Sequence, residues 1–319
     1  MMSFRAGRWA SVAAVVLLST APADVAAART AAAAGRVGYA GVLDRPLVAE
    51  GCSTGLLSPR AGFTPRVLTS FTVESWNMQG SSTSGECIWL TRVYPLARTS
   101  HVLALQEAGA PPASAQPVPG RTWTQNGRTV AEYLWRPGGS RGGDFYLYWM
   151  RTDTSPSGNG RVNLAMVVPA AQRARDVVIA WDTNPAHQSV RPALGILPTD
   201  IDQYVFTVHA SAQASTGRGR AGWDAPRIVS AIECEMAARG RRQWIAAGDW
   251  NRLPDNWASQ GGGTTLQVAP SEPTRPASGA VIDYAVINRT LTLPTMARTE
   301  HNRGGGQSDH LPVFLHFGS

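Results

Sequence analysis

The chain has 319 residues, 43% of them hydrophobic and 16% charged, with 11 Trp. This excludes a disordered chain and leaves room for one large domain or two small ones. Its 32 Gly and 22 Pro follow no Gly-X-Y period and no repeat of 20–50 residues recurs, which excludes collagen, solenoids and propellers. The net charge is +7 and all 29 basic residues are Arg. Arg binds phosphate through a planar fork of donors, although a genome that favours Arg codons gives the same count.

Residues 1–28 read as a secretory signal. Arg5 and Arg8 open it, Trp9–Leu18 is the apolar run, and small residues allow cleavage after Ala23 or Ala28. The run is too short to span a bilayer, so the expectation is a secreted protein. Residues 29–68 lack periodicity and read as a partly ordered leader, followed by one catalytic domain over 69–319. Short β-branched or aromatic runs at 71–76, 102–105, 145–150, 162–168, 177–181, 204–208, 244–247, 281–287 and 312–317 predict strands. Ile228, Ile232 and Met236 at i, i+4 and i+8 predict a helix capped by Asp224 and ended by Gly240. The stretches 106–122 and 251–280 are rich in Gly and Pro and read as loops. Export permits disulfides, and of Cys52, Cys87 and Cys234 the preferred pair is Cys52–Cys87, because Cys234 falls inside the helix. No Cys-x-x-Cys motif offers a structural zinc site.

Several strand runs stop at an acid, an amide or a His. Residues 71–76 run into Asn77, 102–105 into Gln106-Glu107, 204–208 into His209, and 244–248 into Asp249-Trp250-Asn251. Val281-Ile282 leads to Asp283, and Ser308-Asp309-His310 precedes the last strand. Singly, each is an ordinary turn or surface residue. Together they supply the hard oxygen ligands that suit Mg²⁺ and a His pair for proton transfer, the chemistry of phosphate-ester cleavage. No Gly-x-Ser-x-Gly or Cys-x₅-Arg motif competes, and Gly217-Arg-Gly-Arg lacks the Lys of a P-loop. Asp249 and Asn251, two residues apart, are expected to share one face of an extended segment.

The ordered set Trp76-Asn-Met-Gln-Gly-Ser-Ser, Gln106-Glu-Ala-Gly, Phe206-Thr-Val-His-Ala, Gly248-Asp-Trp-Asn, Asp283-Tyr and Ser308-Asp-His-Leu-Pro-Val resembles the deoxyribonuclease I-like endonuclease/exonuclease/phosphatase superfamily. Within that superfamily it resembles the cytolethal distending toxin B subunits, over roughly residues 70–318. Arg161-Val-Asn-Leu-Ala and Arg191-Pro-Ala-Leu-Gly-Ile add to the likeness. The resemblance implies an α/β fold, a four-layer sandwich of two packed mixed β-sheets flanked by helices. It implies Glu107 as the principal Mg²⁺ ligand, with Mn²⁺ as a substitute, Asn77 nearby and Asp309 completing the metal side. Asp249 and Asn251 would hold the scissile phosphate and the water, and Asp283 would orient His310. His209 and His310 would form an acid/base pair. Asp144 is a candidate to orient His209, and Arg121, Arg136, Arg141 and Arg161 are candidates to border the cleft, Arg141 foremost.

The leading function is thus a secreted Mg²⁺-dependent deoxyribonuclease of toxin type. DNA would be its substrate, the target-cell nucleus its place of action, and lectin-like delivery subunits its partners. A phosphoinositide phosphatase acting on phosphatidylinositol trisphosphate would use the same site. A nutritional extracellular DNase and a non-catalytic binding module are the further alternatives.

Overall fold

The computed structural model describes residues 68–79, 85–139, 142–152, 162–184, 190–212, 221–241, 243–257, 265–292, 294–300 and 308–318. The expected signal segment and all but the last residue of the expected leader lie outside these. Fourteen strands appear among the described residues. They are β1 (Ser70–Asn77), β2 (Val102–Gln106), β3 (Gln116–Gln125), β4 (Arg128–Trp135), β5 (Phe145–Met150), β6 (Leu164–Pro169) and β7 (Ala174–Ala180). The rest are β8 (Ala193–Pro198), β9 (Tyr204–His209), β10 (Trp244–Asp249), β11 (Thr265–Val268), β12 (Asp283–Asn288), β13 (Met296–Thr299) and β14 (Val313–Gly318). One sheet has the order β13-β14-β1-β2-β6-β5-β4-β3 and the other β11-β12-β10-β9-β8-β7.

The central strands are apolar on both faces because both faces are covered. Val73, Val102, Met166, Ile196, Val205, Ile245 and Leu315 fill the space between the sheets. On the outer face of the eight-stranded sheet, α1 (Gly85–Ile88), a π turn (Trp89–Val93) and α2 (Tyr94–Ala97) press Trp89, Val93 and Leu96 onto Trp76, Leu103 and Leu105. On the outer face of the other sheet, α3 (Ala225–Ala238) packs Ile228, Ile232 and Met236 against Phe206, Val208 and Ala246. The result is the expected four-layer α/β sandwich.

Helix α3 ends as its sequence predicts. Gly240, at φ +64°, takes the left-handed position, so that Arg241 N–H reaches Met236 O and Gly240 N–H reaches Ala237 O. Its start differs. Asp224 stands at the N-cap, but its carboxylate makes no cap bond; Oδ1 accepts from Ser211 N–H at 2.8 Å and Oδ2 from Arg191 N–H at 3.5 Å. This buried acid therefore secures the chain leaving β9.

Three further expectations change. The stretch 106–122 is not all loop, since β3 begins at Gln116 and carries Pro117, Pro119 and Gly120. Proline is tolerated there because β3 is the edge of its sheet and its register shifts between Pro117 and Thr122. The turn into β4 is Asn126-Gly127, both at positive φ, a hairpin signal already present in the sequence. The stretch 251–280 likewise contains the edge strand β11. Finally, Cys87 is free and exposed while Cys234 is disulfide-bonded, so the expected Cys52–Cys87 pair does not form. A half-buried helix position is no barrier to a disulfide, which needs only a suitable Cα separation. Cys52 lies outside the described residues.

The parallel pair β1/β2 packs across the sandwich on β10/β9, and the carboxyl ends of all four strands reach the same mouth. Gly248 permits this closeness within the second sheet. A Cβ there would lie 2.0 Å from Val208 O, a backbone atom of β9. Gly248→Ala is expected to destabilise the protein by ~1–3 kcal/mol through overpacking. Thermal unfolding followed by circular dichroism checks this, and an unchanged Tm would show that the strands have room to separate.

Candidate active site

Sheet register alone assembles half of the site. Asp249, the last residue of β10, lies opposite His209 of β9 on one side and Asp283 of β12 on the other. Residues directly opposite one another share a face, so these three side chains stand in a row at one end of the sheet. The facing sheet supplies Asn77 from the end of β1 and Glu107 from just beyond β2. Asn77 Nδ2 donates to Asp249 Oδ2 at 2.9 Å across the sandwich and lies 3.5 Å from Glu107 Oε1. His209 Nε2 is 3.7 Å from both Glu107 Oε1 and Asp249 Oδ2. His310, three residues before β14, places Nδ1 2.8 and 3.0 Å from the two oxygens of Asp283, and its Nε2 is 3.9 Å from Asp249 Oδ2.

The segments leaving the strands are bent sharply. Four non-glycine residues among those described have positive φ, and three of them, Gln79, Glu107 and Asn251, lie just past β1, β2 and β10. Each such conformation costs on the order of 1 kcal/mol and persists where its surroundings enforce it. Gln79 N–H donates to Asn77 Oδ1 at 2.9 Å, which turns the Asn77 amide nitrogen toward the carboxylates. Asn251 N–H donates to Asp249 Oδ1 at 2.8 Å and its Nδ2 to Ala210 O at 3.0 Å. The expectation of an extended Asp249–Asn251 pair therefore fails, because Asn251 is left-handed and folds back onto Asp249.

Sequence reasoning missed the supports. Thr274 Oγ1 accepts the N–H groups of Ile282 and Asp283, and Thr274 O accepts from Leu311 N–H, so one buried residue sets both Asp283 and the His310 segment. Ser308 Oγ donates to Asn77 O and accepts from His310 N–H. Trp76 Nε1 donates to His310 O. Gln106 Nε2 donates to Thr207 Oγ1, a second polar tie between the sheets. Ser308 and Gln106 stood inside recognisable motifs, whereas Thr274 sat in a stretch read as loop and carried no signal.

The electrostatics follow from burial. Desolvation, then the adjacent Asp283 charge, raises the Asp249 carboxyl well above the usual carboxylate range, against the pull of His310 and of hydrogen bonds from Asn251 and Asn77. Burial alone would depress His310. The Asp283 charge and hydrogen bond, with Asp249 and Asp309 behind them, outweigh it and raise His310 to about 9. His310 is therefore an imidazolium at neutral pH.

Not every expected residue joins this group. Asp309 Oδ2 accepts from Arg275 Nε and Nη2 at 2.9 and 2.7 Å, while Oδ1 lies 3.6 Å from His310 Nε2. Asp144 pairs with Arg136 on the surface and makes no contact with His209. Arg121 donates to the buried Glu132 of β4, which Arg173 also holds, and it stacks on Trp123. Arg141 and Arg161 lie outside the described residues. Asp249, Asp283 and His310 each offer a ligand atom within 4.8 Å of the others. All three are buried and His310 Nδ1 is committed to Asp283, so this trio is suited to handling protons. Glu107, less buried than the others and beside Asn77, is a hard oxygen donor of the type that can hold a divalent metal ion.

The Asp283–His310 contact is a charged, buried hydrogen bond, a class worth about 1.5–3 kcal/mol. A double-mutant cycle of Asp283→Asn and His310→Gln, read by urea unfolding at pH 7, is expected to show coupling in that range. The exposed Arg136–Asp144 pair is expected to show less than about 1 kcal/mol. Equal coupling for the two pairs would contradict the assignment.

Known proteins resemble this chain in sequence and in fold. The Endonuclease/Exonuclease/phosphatase family model matches residues 75–310. The chain is 34% identical over 261 residues to a homolog of the cytolethal distending toxin B subunit from Salmonella typhi, covering 77% of this chain and 89% of that protein. It is 32% identical over 272 residues to the cytolethal distending toxin B subunit of Escherichia coli, covering 77% and 91%. A chain of the Haemophilus ducreyi cytolethal distending toxin crystal structure superposes with a TM-score of 0.64 at 32% identity, over 77% of this chain and 97% of that one. The matched interval runs from the end of β1 to His310, and sequence and fold agree that this protein belongs to the endonuclease/exonuclease/phosphatase family, among the relatives of the cytolethal distending toxin B subunits.

Proposed function

We propose that the protein is a secreted, Mg²⁺-dependent phosphodiesterase, a DNA endonuclease of the cytolethal distending toxin B type. The reading extends to action in a target-cell nucleus and to delivery by lectin-like partner subunits, since the relatives are named as subunits of a toxin. The observation that carries the chemistry is the Asp283–His310 pair beside Asp249, whose carboxyl burial makes basic, with His209 and Glu107 closing the other side.

The residues divide the work by charge state. His310, held cationic by Asp283, offers Nε2–H to a phosphoryl or leaving oxygen. Asp249, with raised proton affinity, accepts a proton from the attacking water while Asn77 and the Asn251 N–H hold its oxygens in place. His209 Nε2, equidistant from Glu107 and Asp249, is the second member of the acid/base pair. Glu107 would hold Mg²⁺, or Mn²⁺ in its place, and Asn77 orients Glu107 through Nδ2. Such a metal, when bound, neutralises charge on phosphoryl oxygens and stabilises the leaving oxyanion.

Plasmid nicking tests this. Cleavage is expected to cease in excess EDTA. Glu107→Gln is expected to raise the Mg²⁺ midpoint, because a charged ligand becomes neutral. Asp249→Asn is expected to lower the maximal rate by about 10²-fold or more and leave the midpoint within about threefold. A midpoint shifted as far by Asp249→Asn as by Glu107→Gln would make Asp249 a metal ligand. The same series run on phosphatidylinositol trisphosphate separates lipid from DNA as substrate. Turnover of the lipid alone would replace the nuclease reading.

A further inference from the structure

We propose that Arg275 is a DNA-backbone contact, taking a substrate phosphate beside the scissile one with the donors that its pairing with Asp309 leaves over. The inference rests on the DNA reading of this site and adds a residue to it.

The site gathers three carboxylates, Glu107, Asp249 and Asp283, around two imidazoles, and a fourth, Asp309, lies at its rim beside His310. A polyanion entering such a mouth meets repulsion unless positive charge stands at its rim. Arg275 stands there. Its side chain is 43% exposed and that of Asp309 28%, against 8% for His310 and 1% for Asp283. The line Arg275–Asp309–His310 thus runs from solvent into the site.

The guanidinium is only partly used. Nε and Nη2 both donate to one oxygen, Asp309 Oδ2. A guanidinium has five N–H donors, so three remain, including both on Nη1. A planar fork with free donors at the edge of a phosphate-cleaving site is suited to a second phosphate.

The position is also rigid. Thr274 and Arg275 both donate their N–H groups to Ala280 O, and Thr274 is the residue that sets Asp283 and Leu311. A short turn through Pro276–Ser278 closes at Gly279, whose φ of +65° completes it. Arg275 is therefore registered to His310 through the backbone as well as through Asp309, and little conformational freedom is lost when it binds.

An Arg that only steadied Asp309 would act on turnover alone. The two roles separate in the salt dependence of binding, since each neutralised phosphate adds about 0.9 to the slope of log K against log[salt]. The experiment measures binding of a duplex oligonucleotide to the full chain by fluorescence anisotropy in EDTA, across NaCl concentrations. Wild type, Arg275→Gln, Arg275→Lys, Asp309→Asn and Arg136→Gln are compared, with folding checked by circular dichroism. Arg275→Gln is expected to make the slope shallower by about 1, whereas Arg275→Lys, which keeps the charge, retains it. Asp309→Asn, which frees the guanidinium, and Arg136→Gln, which lies elsewhere, are expected to leave the slope at least as steep. An unchanged slope for Arg275→Gln overturns the proposal while leaving the nuclease reading intact. A wild-type chain with no salt-dependent DNA binding overturns both. If Arg275→Gln does not fold, Arg275→Ala takes its place with the same expectation, and a wild-type slope for that variant overturns the proposal.

Discussion

Two carboxyl groups buried side by side are the constraint around which this protein is organised. Asp249 and Asp283 are cross-strand neighbours, both almost wholly removed from water. Two such anions repel each other and each loses hydration, so the arrangement exists only with compensation on every side. His310 places an imidazolium against Asp283, Asn77 sends an amide donor across from the other sheet, and Asn251 folds back to give its N–H. The compensation leaves a cation and a base side by side, which is the asymmetry that a proton-transfer reaction at phosphorus uses.

The rest of the architecture keeps these few groups in register. His310 has no strand of its own, and its place comes from Trp76, Ser308 and Thr274, which bind its backbone or its neighbours'. The left-handed residues Gln79, Glu107 and Asn251 stop the chain from continuing in the strand direction and turn it across the mouth. Behind them the sandwich is apolar and close, down to Gly248, where no side chain fits. A rigid scaffold with strained exits places polar groups more accurately than mobile loops could.

The surface ion pairs stand apart from this. Glu132 is buried at the edge of the sandwich and draws Arg121 and Arg173 to itself. Arg136 and Asp144 pair in solvent, where such contacts contribute little. An arginine-rich chain thus spends part of its positive charge on its own carboxylates. Unlike these, the Arg275–Asp309 pair reaches the cluster at the strand ends, because Asp309 also lies beside His310.

The sequence by itself determined most of the strands with unbroken apolar runs, the helix ending at Gly240, and the polar residues that meet at one mouth. Burial on two faces forces apolar runs, and polar residues at their ends have few roles other than turns or a shared mouth. Legibility did not follow position in the sheet: the edge strand β7 was read, the edge strands β3, with two prolines, and β11, in a glycine-rich stretch, were not, and the interior strands β4 and β8 were also missed. Asp144 stands just before β5, near where the nuclease resemblance places an acid to orient His209, yet it pairs with Arg136 eight residues away. Only the tertiary structure decided that Asp224 serves Ser211 rather than its helix, that Asn251 bends back, that Cys87 is a free thiol, that Thr274 braces Asp283 and that Arg275 pairs with Asp309. The reason is physical. Residue type specifies which bonds a side chain can make, but which partner it meets depends on how two sheets stack and where their connecting segments land, and neither is encoded in the local pattern.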